Sequence, residues 1–500
     1  MFKKFLPRSL CLVLLLGIIP LGAANAQGNL PQTVDLRIMT FNIWLGGELV
    51  DFDQVVAAIK AADADIVGLQ EAMGNTRRLA DALGWSYASE SMQIISRFPL
   101  IDPPGGNGLY IFAQIQPGAV VALANFHLPS DPYGPYAVRD GATRAEVLAL
   151  ERATRLPMIE PYLPKLMALT QADIPVLLTG DFNTPSHRDW TAAMIENRIG
   201  VTYTVSWPVS SAVEGAGFVD TYRVVHADPV EHPGITWTYG YPYPRLNPDE
   251  MVDRIDFVFA AGAVEVLKSQ IVGETGTLDA EIGISPYPSD HRAVVSTVRV
   301  TPGRPPYFVA AQSRVVKAGE PIVVRYHAPT GEGSDRIILV PAGGDPINDP
   351  LMWLPPYEAN FWGSVTFGST LLTPGAYEVV LVGIDNAEIA RHSFWIVAPD
   401  ARPAISLSKP IYKTREAIHV TWQNAPAYRW DWIAIYLAGD PDLINGYWGY
   451  LYTQATVAGQ ATFDSSVLGK DMLPPGEYEM RLLMDDGFSI LATAAFTVTE

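Results

Sequence analysis

Asp181 and Asn183 stand two residues apart at the end of the apolar run Val176-Leu177-Leu178-Thr179-Gly180. In an extended chain residues i and i+2 point to the same side, so a carboxylate and a carboxamide face one way. That pair suits a water held against a phosphoryl group. Other polar residues stand where apolar runs stop: Asn42 after Leu36–Phe41, Glu71 after Ile66–Gln70, and His127 after Ala119–Phe126. Two further groups follow, Asp253-Arg254-Ile255-Asp256 and Ser289-Asp290-His291. Polar groups gathered at strand ends are how α/β folds build sites. Oxygen donors without cysteine favour Mg²⁺, Mn²⁺ or Ca²⁺ over zinc. Histidines near a neutral pKa suit proton transfer.

The elements that must position these residues are short buried strands alternating with helices. The patterns predict strands at 36–42, 65–71, 93–97, 109–115, 119–126, 176–181, 254–260 and 293–300. They predict a helix capped by Asp53 with Val55, Val56 and Ile59 on its apolar face, and another at about 142–155. Gly180 is read as ending its strand and turning the backbone. Such interleaving predicts an α/β domain over residues 30–300.

Past Pro302 the helical pattern gives way to short β-type runs, and these repeat. Glu320–Tyr326 aligns with Glu416–Trp422, and Asp335–Val340 aligns with Asp431–Tyr436. Gly344-Asp345-Pro346 aligns with Gly439-Asp440-Pro441, and Pro374–Glu378 aligns with Pro475–Glu479. Four matches in the same order define a duplicated all-β module, expected as two Ig-like sandwiches over 303–399 and 403–500. Asp400–Pro403 reads as the linker between them.

The chain of 500 residues carries a net charge of −19. Lys3, Lys4 and Arg8 precede an apolar run over 10–19, and Ala24-Asn25-Ala26 follows. This is the pattern of a secretory signal peptide over 1–26, predicting a secreted or periplasmic protein. Loss of those three basic residues takes the charge from −19 to −22. An acidic surface disfavours unaided tight binding of nucleic acid. The single cysteine, Cys11, lies in the leader, so no disulfide is expected in the mature chain. No later stretch is long and apolar enough to cross a bilayer.

Seven short motifs, taken in order, carry a resemblance. They are Thr40–Ile43, Leu69–Glu71, Ser96–Leu100, Asn125–Leu128, Thr179–Thr184, Arg254–Phe257 and Ser289–Arg292. Together they resemble the endonuclease/exonuclease/phosphatase superfamily of deoxyribonucleases, apurinic endonucleases, neutral sphingomyelinases and inositol polyphosphate phosphatases. The resemblance spans about 35–300. It implies a four-layer α/β sandwich of two packed mixed sheets flanked by helices, here followed by the two β-sandwiches. It implies Glu71 as the main metal ligand, with Asn42 and Asp290 close to the metal or its water. Asp181 and Asn183 would orient the attacking water and hold a phosphoryl oxygen. His291, paired with Asp256, would be general base or electrostatic partner, and His127 would protonate the leaving oxygen. The last module also resembles the SKICH type of Ig-like domain.

The remaining residues have plainer readings. Asp253 is expected to pair with Arg254, and Ser289 to make a turn or cap a loop. His187, His226 and His232 are read as solvated, and His327, His392 and His419 as having no evident partner. The aromatic, Pro-rich inserts 129–136 and 237–244 either line a groove or pack on themselves. Trp430, Trp432, Trp448 and Tyr450 are read chiefly as sandwich core, with a ligand surface as the alternative.

The expected protein is a secreted, divalent-metal-dependent phosphohydrolase, chiefly a phosphodiesterase. Its substrate would be a lipid, a small molecule or nucleic acid. An extracellular nuclease, a sphingomyelinase-like or inositol-phosphate hydrolase, and a non-catalytic adhesion protein are the alternatives. All candidate catalytic residues precede Pro302. The modules are therefore expected to serve surface or carbohydrate attachment, and a chain ending near Val300 to cleave small soluble substrates.

Overall fold

The computed structural model describes residues 31–103, 105–106, 108–198, 200–237, 250–277, 280–329, 334–356, 362–444, 446–469, 472–485 and 487–500. The leader and its cleavage site therefore lie outside the described residues, as does most of the second aromatic insert. No described helix is long and apolar enough to cross a membrane.

Two mixed sheets form the centre of the first domain. One runs, edge to edge, Ile282–Ile284, Val264–Glu274, Ala293–Val300, Val34–Asn42, Ile66–Gln70, Ile94–Ser96 and Tyr87–Ser89. The other runs Leu100–Ile101, Ile111–Gln116, Ala119–His127, Val176–Asp181, Asp256–Ala261 and Val219–Asp220. Side chains alternate across each strand, so each sheet has an inner and an outer apolar face. The inner faces meet through Leu36, Ile38, Ile66, Val121, Leu123, Leu177, Val258 and Val294. Outside the first sheet, Met39, Phe41, Val67 and Leu69 pack on Val55 and Ile59 of the helix Phe52–Ala61. Outside the second, Ala124, Phe126, Leu178 and Phe259 pack on Leu166 of Leu163–Gln171 and Val213 of Pro208–Ala216. The result is the expected four-layer α/β sandwich.

Local details differ from the sequence reading. The first helix is capped by Asp51, which accepts from Asp53 N at 2.9 Å, so Asp53 belongs to the first turn. The strand into the site continues through Asp181, and the left-handed turn falls at Asn183, φ 50°. Gly180 serves close approach instead: a Cβ there would sit 2.4 Å from Phe126 O and 2.9 Å from the Phe182 ring.

After Thr301 the chain builds two β-sandwiches of matching topology. In the first, Phe308–Ala311, Ile322–His327 and Trp362–Phe367 face a five-stranded sheet from Val315–Lys317 to Met352–Leu354. In the second, Ala404–Leu407, Ile418–Gln423 and Gly459–Phe463 face a sheet from Ile411–Lys413 to Tyr447–Tyr452. The duplication extends to one hydrogen bond: Tyr377 Oη donates to Thr373 O at 2.8 Å, and Tyr478 Oη to Pro474 O at 2.9 Å. A tyrosine bonding back to the chain just upstream is a corner device of Ig-like sandwiches.

Candidate active site

Strand register brings the site together. His127 pairs across the parallel ladder with Asp181, which pairs across the antiparallel ladder with Asp256. Three candidate residues thus stand side by side at one end of the second sheet. Asn42 ends the neighbouring strand of the first sheet, where it pairs with Gln70, the residue before Glu71. Packing the two sheets sets Asn42 Nδ2 3.1 Å from both Asp181 Oδ2 and Glu71 Oε1.

Asp181 Oδ2 is the hub. His127 Nε2 lies 3.7 Å from it and His291 Nε2 3.6 Å. His291 Nδ1 sits 3.0 Å from Asp256 Oδ2, and both side chains are buried. Burial alone would lower the His291 pKa. The charges of Asp256 and Asp181 outweigh it and hold the imidazole well above its ordinary value. Asp256 is pushed up to about 6 by burial, with His291 opposing and Asp181 adding to the rise.

Glu71 follows its strand directly in a left-handed conformation, φ 56°, which a non-glycine residue keeps only when its surroundings impose it. Here Leu45 N donates to Glu71 Oε2 at 2.8 Å and Gly46 N to its carbonyl at 2.8 Å. Asp290 is pushed up to about 6, first by burial; His291 opposes, and the charges of Glu71 and Asp181 add to the rise. Its Oδ1 is buried with no hydrogen-bond partner among the described residues. Crowded carboxylates and an unmatched buried oxygen fit a hard divalent cation. Asp181, Asp256 and His291 form a tighter group, with ligand atoms within 4.8 Å of one another. The histidine–aspartate hydrogen bond accounts for that closeness, whereas Glu71 and Asp290 supply the oxygens still suited to an ion.

Asn183 braces the site through two hydrogen bonds. Its backbone N donates to Asp181 Oδ1 at 2.9 Å, and its Nδ2 donates to Leu128 O at 2.9 Å. It therefore fixes Asp181 and the segment after His127. Asn42 likewise braces carboxylates through Nδ2, while its Oδ1 accepts from Trp44 N at 3.0 Å. Ser289 Oγ donates to Asn42 O at 2.7 Å and accepts from His291 N at 3.1 Å, fastening the loop that carries Asp290 and His291.

Sequence reasoning passed over a polar layer beneath the site. Gln70 Nε2 donates to Asn125 Oδ1 at 2.7 Å, and Thr179 Oγ1 donates to the same oxygen at 2.9 Å. Asn125 Nδ2 crosses to Leu69 O at 2.7 Å. This network ties the two sheets together where the strands carrying the candidate residues end. Gln70 and Asn125 lie inside the motifs Leu69–Glu71 and Asn125–Leu128, one and two residues before Glu71 and His127, and that membership was the available signal.

Other expectations are corrected. Asp253 does not pair with Arg254. It takes Arg198, the Trp190 indole at 2.9 Å and the Tyr133 hydroxyl at 3.0 Å, while Arg254 bonds Asp189 and Asp220. His187 meets Ser210 Oγ at 3.1 Å and His226 meets Ser269 O at 2.9 Å, so neither is simply solvated. His327 contacts Pro306 O, His392 accepts from Ala311 N, and His419 contacts Thr462, so each has a partner. In the first insert Tyr133 and Tyr136 pack on each other and on Trp237, whose ring lies 6.2 Å from that of His291. Residues 238–244 of the second insert lie outside the described residues. Of the module aromatics, Trp430 and Trp432 are buried, but Trp448 and Tyr450 are exposed. Trp432 and Tyr450 also line a cleft with Glu71 and His127, so the terminal module is not confined to a role away from the site.

The chain matches the Endonuclease/Exonuclease/phosphatase family over residues 39–291, and it belongs to that family. The protein is 32% identical over 291 residues to uncharacterized protein F14F9.5 of Caenorhabditis elegans, covering 52% of this chain and 90% of that one. Among solved structures it is similar to an endonuclease/exonuclease/phosphatase from Beutenbergia cavernae, at 19% identity and TM-score 0.33, over 72% of this chain and 99% of that one. It is also similar to D. rerio TDP2, solved with a single-strand DNA product, at 17% identity and TM-score 0.32, over 53% and 98%.

Proposed function

We propose that the protein is an exported, divalent-metal-dependent phosphodiesterase. The observation that carries this reading is the convergence of His127, His291 and Asn42 on Asp181 Oδ2, beside the Glu71 and Asp290 carboxylates. Glu71 and Asp290 would hold Mg²⁺ or Mn²⁺, with Asn42 bracing Glu71. When bound, the cation neutralises phosphoryl charge and favours an oxygen nucleophile.

The chain's own residues supply the rest. Asp181, held by Asn42 and by Asn183 N, orients the attacking water and accepts its proton. His291, kept cationic by Asp256 and Asp181, offers Nε2 to the phosphoryl oxygens. The bond from phosphorus to the leaving oxygen breaks as His127 delivers a proton to that oxygen, a contribution of roughly 10²–10⁴-fold for such transfers. His127 suits this because it stands at the rim, with its side chain 18% exposed against 6% for His291.

A single phosphodiester fits the acidic chain better than a nucleic acid, whose many phosphates need matching cations. The test is a panel of bis-p-nitrophenyl phosphate, p-nitrophenyl phosphate, sphingomyelin, inositol phosphates, DNA and RNA with Mg²⁺ or Mn²⁺. Diester cleavage exceeding monoester cleavage supports the reading, and turnover of the monoester alone contradicts it.

A further inference from the structure

The terminal module reaches the catalytic groove. A cleft of about 500 Å³ has Glu71 and His127 on one side and Trp432, Tyr447, Tyr450 and Phe488 on the other. Strand alternation and one bulge explain the wall: Gly449 pairs with Ile435 but Tyr447 pairs with Tyr436, and this shift puts Tyr447 on the same face as Tyr450. In the edge strand Tyr447–Tyr452, Leu451 turns into the sandwich core while Tyr450 turns out to the cleft. Tyr447, Tyr450 and Phe488 each meet the Trp432 ring edge to face, with centroids 5.7, 5.9 and 5.7 Å away. Such packing fixes the rings before any ligand arrives. Tyr447 and Tyr450 still keep 37% and 36% of their surface exposed.

The module is fastened in this position. Gln93 Nε2 donates to Asp485 O at 3.1 Å and to its Oδ1 at 3.2 Å. Trp432 Nε1 donates to Gly487 O at 2.9 Å, and a Cβ on Gly487 would stand 2.9 Å from Met73 Cα. The Tyr428 hydroxyl donates to Glu90. The half-buried Arg429 places its guanidinium 4.7 Å over the Phe126 ring and 4.5 Å over the Trp430 ring. Together these contacts make the wall a fixed part of the groove.

The charge of the cleft narrows what the wall receives. Its described lining includes Glu71 and Asp131 but no lysine or arginine. Beyond His127, which serves the leaving oxygen, a second phosphate would meet no cationic side chain among the described lining residues, whereas an uncharged flat group would meet aromatic surface. We propose that the terminal module forms the leaving-group subsite, selecting single phosphodiesters whose leaving alcohol carries an uncharged aromatic group. This rests on the phosphodiesterase reading, in which His127 serves the leaving oxygen.

The experiment uses the full chain with two symmetrical substrates, bis(2-phenylethyl) phosphate and diethyl phosphate, whose leaving alcohols are of similar acidity. Wild type is compared with Tyr447→Ala, Tyr450→Ala and the double variant, each checked by thermal unfolding. Tyr450→Leu, which keeps bulk without a flat ring, serves where the alanine variants unfold. Aromatic stacking is worth about 1–3 kcal/mol per stacked group by such substitutions, so the preference for the aryl substrate in kcat/KM should fall about 5- to 140-fold, chiefly through KM. An equal loss on both substrates, or none, overturns the subsite. Wild type that cleaves neither these substrates nor bis-p-nitrophenyl phosphate contradicts the phosphodiesterase reading instead, whereas cleavage of the activated diester alone leaves that reading standing. Calorimetric binding of bis(2-phenylethyl) phosphate then decides the subsite: weaker binding by the double variant supports it and equal binding overturns it.

Discussion

His291 Nδ1 lies 3.0 Å from Asp256 Oδ2, deep enough that neither side chain meets solvent appreciably. The pair works as a unit, because a buried imidazolium without its carboxylate would be costly. Asp256→Asn should lower the His291 pKa, so that the alkaline limb of the pH–rate profile moves to lower pH. Turnover at neutral pH should drop by about 10²-fold or more, as should that of His291→Ala and His127→Ala. Folded variants with wild-type turnover and an unmoved limb would contradict these roles.

Gly68 tests the polar layer under the site. A Cβ there would stand 2.0 Å from Thr179 Oγ1 and 2.6 Å from Asn125 Oδ1, across the gap between the sheets. Gly68→Ala should cost about 1–3 kcal/mol, the usual range for overpacking. Urea midpoints of the two proteins measure it. An unchanged midpoint would mean that the sheets part freely here.

Asp431 tests the terminal module. It is fully buried and accepts from Asp485 N at 3.1 Å and Tyr428 N at 3.0 Å. Burial, against these bonds, pushes it up to about 7 from 3.8. The folded state therefore holds the proton more tightly than the unfolded one. Stability from this group is full below pH 4, declines as pH rises to about 7, and is then constant. Asp431→Asn cannot ionise, so its stability relative to wild type should rise between pH 4 and 7, by roughly 4 kcal/mol at most. Thermal unfolding of both proteins across that range measures the difference. A gap that stays level with pH would contradict the raised value.

The strands that end on Asn42, His127 and Asp181, and the one that Glu71 follows, were legible because buried strands write themselves as apolar runs, and a polar residue at the end of such a run is conspicuous. The repeat of Glu320–Tyr326 in Glu416–Trp422 made the duplicated modules equally plain. Partner choice was not legible. Asp253 and Arg254 are adjacent just before the strand Asp256–Ala261, yet each is paired with residues distant in sequence, Asp253 with Arg198 and Arg254 with Asp189 and Asp220. The site's bracing by Asn183 depends on a left-handed turn that Gly180 masked in the sequence. Least legible was the docking of the last module: Gln93 and Asp485 meet across 392 positions, and no local pattern encodes such a contact.

The most direct test of the whole account is hydrolysis of bis-p-nitrophenyl phosphate by protein stripped of metal and then titrated with Mg²⁺ or Mn²⁺. The account predicts no turnover after EDTA, recovery on addition of either ion, and weakened recovery in Glu71→Gln, because hard oxygen donors must hold the cation. Full turnover by verified metal-free protein would contradict it.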